Sequence, residues 1–290
     1  MEASLVHFIA EVSSNHDQDL GRSLAFVDAA AAAGFDSVKF QLFRVAELFA
    51  PEILSKSAQH RKREAWELPL AHLEPLARRC RDKGLSFSCT PFYLDAIRQL
   101  EPYVAYYKVA SYELLWHDLH KTIAKTDKPV IISTGMATMA EIKEAVNTLR
   151  ENGSTDITVL HCVSAYPAPP EQSNLSAIEA IRKETGTTVG WSDHTRSPAV
   201  IERAVHRWGA RTVEIHLDLD GAGAEYSTGH CWLPDEIGPC IRRIREGIRA
   251  DGTGYKEPVP AELPDRDWRA DPSDGLRPLK KIRGSWNPVG

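Results

Sequence analysis

Two stretches of the chain each end a short β-like run on a histidine inside a charged cluster. They are "TVGWSDHTRSP", which holds His194, and "RTVEIHLDLD", which holds His216. A lone histidine at a strand end is more often a hydrogen-bonded core residue than a ligand. Two on adjacent strands at one level, beside Asp193 and Glu214, fit a divalent-metal site with open positions. A hydrogen-bonded pair, or one general base with a structural neighbour, fits the same residues. His161 in "LHC" ends another strand and suits either arrangement. His230 in "TGHCW" reads as a structural turn residue, and His7 and His16 read as structural.

Lysines give a second signal. Lys39 in "FDSVKFQ" and Lys108 in "AYYKVAS" lie inside short, mostly apolar runs. A buried ammonium costs on the order of several kcal/mol unless it is paired. One reading is two structural ion pairs, with Glu11 and Glu214 as partners. The other is a site for an anionic substrate. Ser111, Ser133, Thr134 and Ser192 at neighbouring strand ends would add neutral donors, and the turn "STGMAT" leads into a helix N-terminus, which favours anions. Two lysines and several hydroxyls suit a phosphate with a nearby carboxylate.

These residues need a frame that brings strand ends together. Hydrophobic periodicity switches eight times between a β run and a helical run. The β runs are "LVHFIAEV", "FDSVKFQ", "LSFSCT", "AYYKVAS", "PVIIST", "ITVLHC", "TVGWSD" and "RTVEIHL". Leu20, Leu24, Val27 and Ala31 form a helical stripe closed by Gly34. Thr138 and Glu141 make a capping box ahead of the next clear helix. Ser197-Pro198 and Pro234 start two more. Eight such units predict a (β/α)8 TIM barrel over 1–250, with an irregular C-terminal tail over 251–290. An open doubly wound sheet would need a Gly-rich phosphate loop, and the chain has neither G-x-G-x-x-G nor G-x-x-x-x-G-K. Barrel parity puts Glu11, Lys39, Gln41, Thr90, Lys108, Ser133, His161, Ser192, Glu214 and His216 on inward faces. Their charged ends gather at the C-terminal mouth, where barrel enzymes work. Residues 42–69 form a long second connection with enough Leu, Phe and Trp to pack.

Composition narrows the class. The chain has 290 residues, a net charge of −5 and five scattered cysteines with no C-x-x-C. The odd cysteine number argues for a reducing, cytoplasmic setting and against a zinc or disulfide framework. Nucleic-acid binding has no basic excess to support it, since "HRKRE" at 60–64 is short and mixed. No apolar run reaches membrane-span length, and "MEASLVHFIAEV" has no signal-peptide features.

The motif string is specific. "AEVSSNHDQDLGRSLAFVDAAAAAGFDSVKFQ" resembles the opening signature of the sialic acid synthase family. "SCTPF", "YKVASYE", "STGMATMAEI", "LHCVSAYPAP", "GWSDHT" and "EIHLDLD" follow in that family's order, covering residue 5 to about 245. The resemblance implies a (β/α)8 barrel that condenses phosphoenolpyruvate with an aldose, typically N-acetylmannosamine or a related acylamino sugar. The products are a 3-deoxy-2-ulosonic acid and phosphate, and the cofactor is manganese or magnesium. It implies His194 and His216 as metal ligands. Lys39, Thr90, Lys108, Ser111, Ser133 and Ser192 would hold phosphoenolpyruvate, and Glu11 would stand beside the reacting centre. Gln41, Glu113 and Tyr166 would line the sugar side, with Glu225 near a family aspartate in the loop after strand eight. A homodimer follows by analogy.

The chain also departs from that pattern. Ile215 and Leu217 flank the second histidine where the family usually has a basic and an aromatic residue. The loop "DGAGAEYSTGHCW" is shortened and ends in His-Cys-Trp. Typical members continue into an antifreeze-like domain that gives the partner barrel an arginine, whereas this chain stops soon after "DGLRPLKKIRGSW". The expectation is an acceptor other than N-acetylmannosamine, or a site closed by the tail and the long second connection. Two competing readings are a metal-dependent aldolase or hydrolase and a non-catalytic sugar-phosphate-binding barrel.

Overall fold

The computed structural model describes residues 6–287. Its strands close into one parallel barrel in chain order. They are β1 (His7–Glu11), β2 (Ser37–Leu42), β3 (Ser86–Pro91), β4 (Tyr106–Val109), β5 (Val130–Ser133), β6 (Ile157–Cys162), β7 (Thr188–Asp193) and β8 (Thr212–His216). β8 pairs back onto β1, with Ile9 opposite Glu214 and Glu11 opposite His216. The eight-unit expectation and the barrel class are borne out.

The period of two splits each strand between two cores. Phe8, Val38, Phe40, Ile132, Val213 and Ile215 join the main core under the helices. Ile9, Tyr106, Ile131 and Leu160 pack as a separate small cluster, the plug of the barrel interior. Residues two further along on the inward face are polar: Glu11, Lys108, Ser133 and, on β6, Cys162. β6 corrects the sequence parity. Val159 belongs to the outer core and Leu160 to the plug, so His161 faces the helices. Its Nε2 lies 2.9 Å from the Ser173 carbonyl, and its ring lies 5.3 Å from that of Trp191. In "ITVLHC" both Val159 and Leu160 are apolar, so alternation alone does not choose a face.

Gly190 on β7 shows how tightly the plug is built. A Cβ there would stand 2.2 Å from the Thr212 carbonyl oxygen and 2.5 Å from Leu160 Cδ2. Gly190→Ala is expected to cost about 1–3 kcal/mol. A urea-denaturation midpoint equal to that of the wild type would contradict this.

The helices obey local signals. Leu20–Ala33 starts on Asp19, which accepts from the Arg22 N–H, and ends on Gly34 at φ 94°. Its buried face is Ser23, Phe26, Val27, Ala30 and Ala33, turned from the expected stripe because Phe26 takes the core position. Thr138 and Glu141 close the predicted capping box on Met139–Glu151. The long second connection is a run of short helical pieces at Val45–Leu48, Pro51–Lys56, Ala58–Arg61 and Lys62–Trp66. Phe43, Val45 and Leu68 anchor it in the core, and Gln18 donates to the Glu64 and Glu67 carbonyls, each at 2.9 Å. No helix among the described residues is long and apolar enough to cross a membrane.

The chain divides into two compact units after Ala250. The second is not simply irregular. It holds short helical turns at Pro260–Glu262, Arg266–Trp268 and Lys280–Arg283, tied by Arg283 to Asp274 and by the Lys280 N–H to Asp271.

Candidate active site

The inward polar residues form one connected group. Lys39 Nζ pairs with Glu11 and donates to Thr90 Oγ1 at 3.1 Å, with Glu214 Oε1 at 3.8 Å. Lys108 Nζ lies 3.5 Å from the same Glu214 oxygen and donates to the Val109 carbonyl at 3.1 Å. Both lysines and both glutamates are buried. Burial works against the charge on Lys39, but Glu11 and Glu214 outweigh it and raise its pKa. Burial pushes Lys108 down. Glu214 is held below the usual carboxylate range because Lys108 and Lys39 overcome its burial, whereas burial pushes Glu11 up. The ion pairs of the structural reading are therefore present. They also bring two ammonium groups onto the one Glu214 carboxylate inside the barrel.

A hydroxyl cradle lies at the ends of β4, β5 and β6. The Gly135 N–H donates to Ser111 Oγ at 3.0 Å. A Cβ on Gly135 would meet Ser164 Oγ at 2.0 Å and Ser111 Oγ at 3.0 Å, so only glycine leaves this space open. Ser133 Oγ and Ser164 Oγ are buried without hydrogen-bond partners. The turn "STGMAT" leads into the N-terminus of the Met139–Glu151 helix as expected, where Glu141 of the capping box accepts from the Thr138 N–H at 2.7 Å. Nothing local marks Ser164 in "LHCVSAYP". Glu113 stands nearby on the turn after β4, and burial pushes its pKa up to about 7. Ser192, buried, lies one residue before the end of β7, in register with Cys162 and Glu214.

The histidines meet at the β7–β8 side. The His194 and His216 ring centroids are 5.1 Å apart. His194 Nδ1 donates to the Val163 carbonyl at 2.8 Å, which leaves Nε2 as the lone-pair nitrogen. Asp193 does not flank them as expected. It faces the outer core, where Trp191 Nε1 and Thr195 donate to it at 3.0 and 2.7 Å. His230 is the larger surprise. It is buried, with its ring centroid 4.6 Å from His216 and 6.0 Å from His194. An isolated bridge between Leu217 and Trp232 folds the loop after β8 back onto the strand end and delivers it there. Tyr166 lies with its centroid 4.1 Å from that of His194 and 4.9 Å from that of His230.

Glu225 joins the two halves. Gln41 Nε2 donates to Glu11 at 2.6 Å and to Ser13 Oγ at 3.1 Å, and Ser13 Oγ donates to Glu225 Oε1 at 2.6 Å. Ser13 holds this position at φ 51°, a left-handed conformation that costs a non-glycine residue on the order of 1 kcal/mol. Asn15 accepts from the Glu225 N–H at 2.8 Å and donates to the Leu217 carbonyl at 3.1 Å, which pins the loop. Burial pushes His216 down, and His216, His230 and Ser13 hold Glu225 below the usual range despite its own burial. The thirteen residues implied by the family resemblance lie on the barrel strands or in the loops that leave them, Lys39 and Lys108 within β2 and β4, whereas His161 and Asp193 face the outer core.

The family model described as the NeuB family matches residues 26–256. The chain belongs to the NeuB family. This NeuB-family chain is 34% identical over 271 residues to the spore coat polysaccharide biosynthesis protein SpsE of Bacillus subtilis, covering 89% of this chain and 72% of that one. It is 34% identical over 269 residues to the N,N'-diacetyllegionaminic acid synthase of Campylobacter jejuni, covering 88% and 80%. Its structure superposes on the N-acetylneuraminic acid (sialic acid) synthetase of Leptospira borgpetersenii in complex with citrate. That match has a TM-score of 0.81 and 28% identity and covers 92% of each chain. The family resemblance of the motif string is borne out.

Proposed function

We propose that this NeuB-family chain condenses phosphoenolpyruvate with an aldose or acylamino sugar to give a sialic-acid-like 3-deoxy-2-ulosonic acid and phosphate. What carries this is the pairing of Lys39 and Lys108 with Glu214, two residues before His216 on β8, together with the Gly135–Ser111–Ser164 cradle after β4, β5 and β6. Relatives named legionaminic and pseudaminic acid synthases support the same reaction class.

The balance of the reaction assigns roles. C3 of the enol phosphate forms a bond to the sugar's aldehyde carbon. Water adds at C2, and the tetrahedral centre then breaks its C2–O bond and releases phosphate. Lys39 and Lys108 offset the phosphate and carboxylate charge, with Thr90, Ser111, Ser133 and Ser192 as neutral donors. Glu11, raised by burial and hydrogen-bonded to Gln41, is suited to orient the water and carry its proton. Glu113 and Tyr166 border the sugar side. His194 and His216 fit a divalent cation such as manganese or magnesium: the rings are buried, and His216 Nδ1 and Glu225 Oε2 have no hydrogen-bond partner. When bound, the cation would polarise the acceptor carbonyl as a Lewis acid. Partners are small molecules, and a homodimer is the assembly proposed.

The test is to incubate the protein with phosphoenolpyruvate, manganese and a panel of aldoses and acylamino sugars, and to follow phosphate. Sugar-dependent release is expected. Consumption of sugar substrates without phosphoenolpyruvate would favour an aldolase or hydrolase, and binding without turnover a non-catalytic barrel.

A further inference from the structure

We propose that His230 is a third imidazole ligand to the divalent cation, and that Glu225 completes a two-histidine, one-carboxylate face with His216. This rests on the metal reading of the previous section and goes beyond its His194–His216 pair.

Proton positions fix the tautomer of His230. Thr228 Oγ1 donates its one proton to the Glu225 carbonyl at 2.5 Å. The same oxygen lies 2.6 Å from His230 Nδ1, so it must accept there, and Nδ1 carries the ring proton. Nε2 is then a lone pair, and it points at Glu225 Oε2 from 3.7 Å. His216 Nδ1 faces that same oxygen from 3.5 Å, and both atoms are buried without hydrogen-bond partners. Two nitrogens and a carboxylate oxygen turned on one another need a proton or a cation between them. Donor atoms about 2.0–2.2 Å from a single cation stand roughly 3–3.5 Å apart, close to what the side chains already show. His216, Glu225, His230 and Cys231 place one ligand atom each within 4.8 Å of all the others. Cys231 Sγ accepts from Asn15 Nδ2 at 3.6 Å and lies 3.8 Å from the same His230 Nε2, and the proposal leaves it outside the face.

The surroundings hold the face rigidly. Ser13 and Asn15 fix Glu225 by side chain and backbone. The Trp232 N–H donates to the His216 carbonyl at 2.9 Å, which ties the His230 segment to β8. A nitrogen-rich set with one carboxylate suits Mn²⁺, Co²⁺ or Zn²⁺ better than Mg²⁺, which prefers oxygen ligands and water. The shortened loop ending in His-Cys-Trp thus acquires a role: it brings a ligand from outside the strands.

The test uses the full chain, stripped with a chelator and titrated with Mn²⁺ alone by electron paramagnetic resonance, and with Co²⁺ by visible absorption. Wild type is expected to bind one ion, with Mg²⁺ competing weakly. His230→Ala and Glu225→Gln should each weaken Mn²⁺ roughly 10- to 100-fold and alter the Co²⁺ bands. Thr228→Val keeps the ring but removes the acceptor that fixes its tautomer, and should weaken binding by a smaller factor. A folded His230→Ala protein with wild-type Mn²⁺ affinity and Co²⁺ spectrum overturns the proposal. If that variant does not fold, unchanged affinity in both Thr228→Val and Glu225→Gln does so. Wild-type binding that is lost in His194→Ala but kept in His230→Ala sinks this inference alone, whereas a wild type that binds no ion sinks the metal reading beneath it.

Discussion

Lys108→Met is expected to lower phosphoenolpyruvate-dependent phosphate release about 10²–10³-fold in kcat/KM, the scale of losing one preorganised charge or donor at a reacting group. The methionine keeps the buried stem and removes the ammonium. In the resting protein that ammonium is costly: burial lowers its pKa, while Glu214 at 3.5 Å and the Val109 carbonyl at 3.1 Å face it. A residue kept at such a cost for the fold alone would be replaced by methionine with little harm to turnover. Glu214 would keep Lys39 at 3.8 Å as its remaining partner, yet breaking a buried pair can cost about 3–5 kcal/mol. The double variant Lys108→Met/Glu214→Gln separates the two effects. It removes both charges, so it should recover thermal stability without recovering turnover. Turnover within about tenfold of wild type in a folded Lys108→Met protein would remove the charge-clamp role. It would favour the aldolase or hydrolase reading, which needs no phosphate pocket.

Much of the barrel was legible because a parallel strand repeats its signal locally. Alternation in β1, β2, β4, β7 and β8 separates one inward face from one outward face, and a lysine in an apolar run stands out on either. β6 was not legible. Val159 and Leu160 offer equal hydrophobicity, and only the volume left in the plug beside Ile9, Tyr106 and Ile131 decides between them. Asp193 misleads for a related reason: its charge suggests the site, but its parity follows Trp191, whose indole claims it. His230, Ser13 and Ser164 depend on loops. No periodicity reports that Trp232 will bridge to Leu217, that Ser13 will adopt a left-handed backbone, or that Gly135 leaves room for the Ser164 hydroxyl. The unusual His-Cys-Trp ending was visible as a departure, and its spatial meaning needed the fold.

Removal of the divalent cation should have the other large effect. Chelation is expected to abolish phosphate release, and added Mn²⁺ to restore it. In His216→Ala restoration should fail, with a loss on the order of 10³-fold, as expected when several kcal/mol of Lewis-acid assistance disappear. His216 sits where both halves of the site meet. It is in register with Glu11 on β1, and its Nδ1 faces Glu225, which Ser13 and Gln41 link back to Glu11. His194 has a different support, the Val163 carbonyl just after the neighbouring strand β6. His194→Ala should therefore weaken the cation while leaving the Glu225–Ser13–Gln41–Glu11 chain in place, and high Mn²⁺ should recover part of its rate. If the imidazoles were only a hydrogen-bonded pair, the chelator would be without effect and both alanine variants would respond to Mn²⁺ alike. A rate in excess chelator equal to the rate in Mn²⁺, with phosphate release still dependent on the sugar, would mean that condensation here proceeds on the lysines, hydroxyls and Glu11 alone.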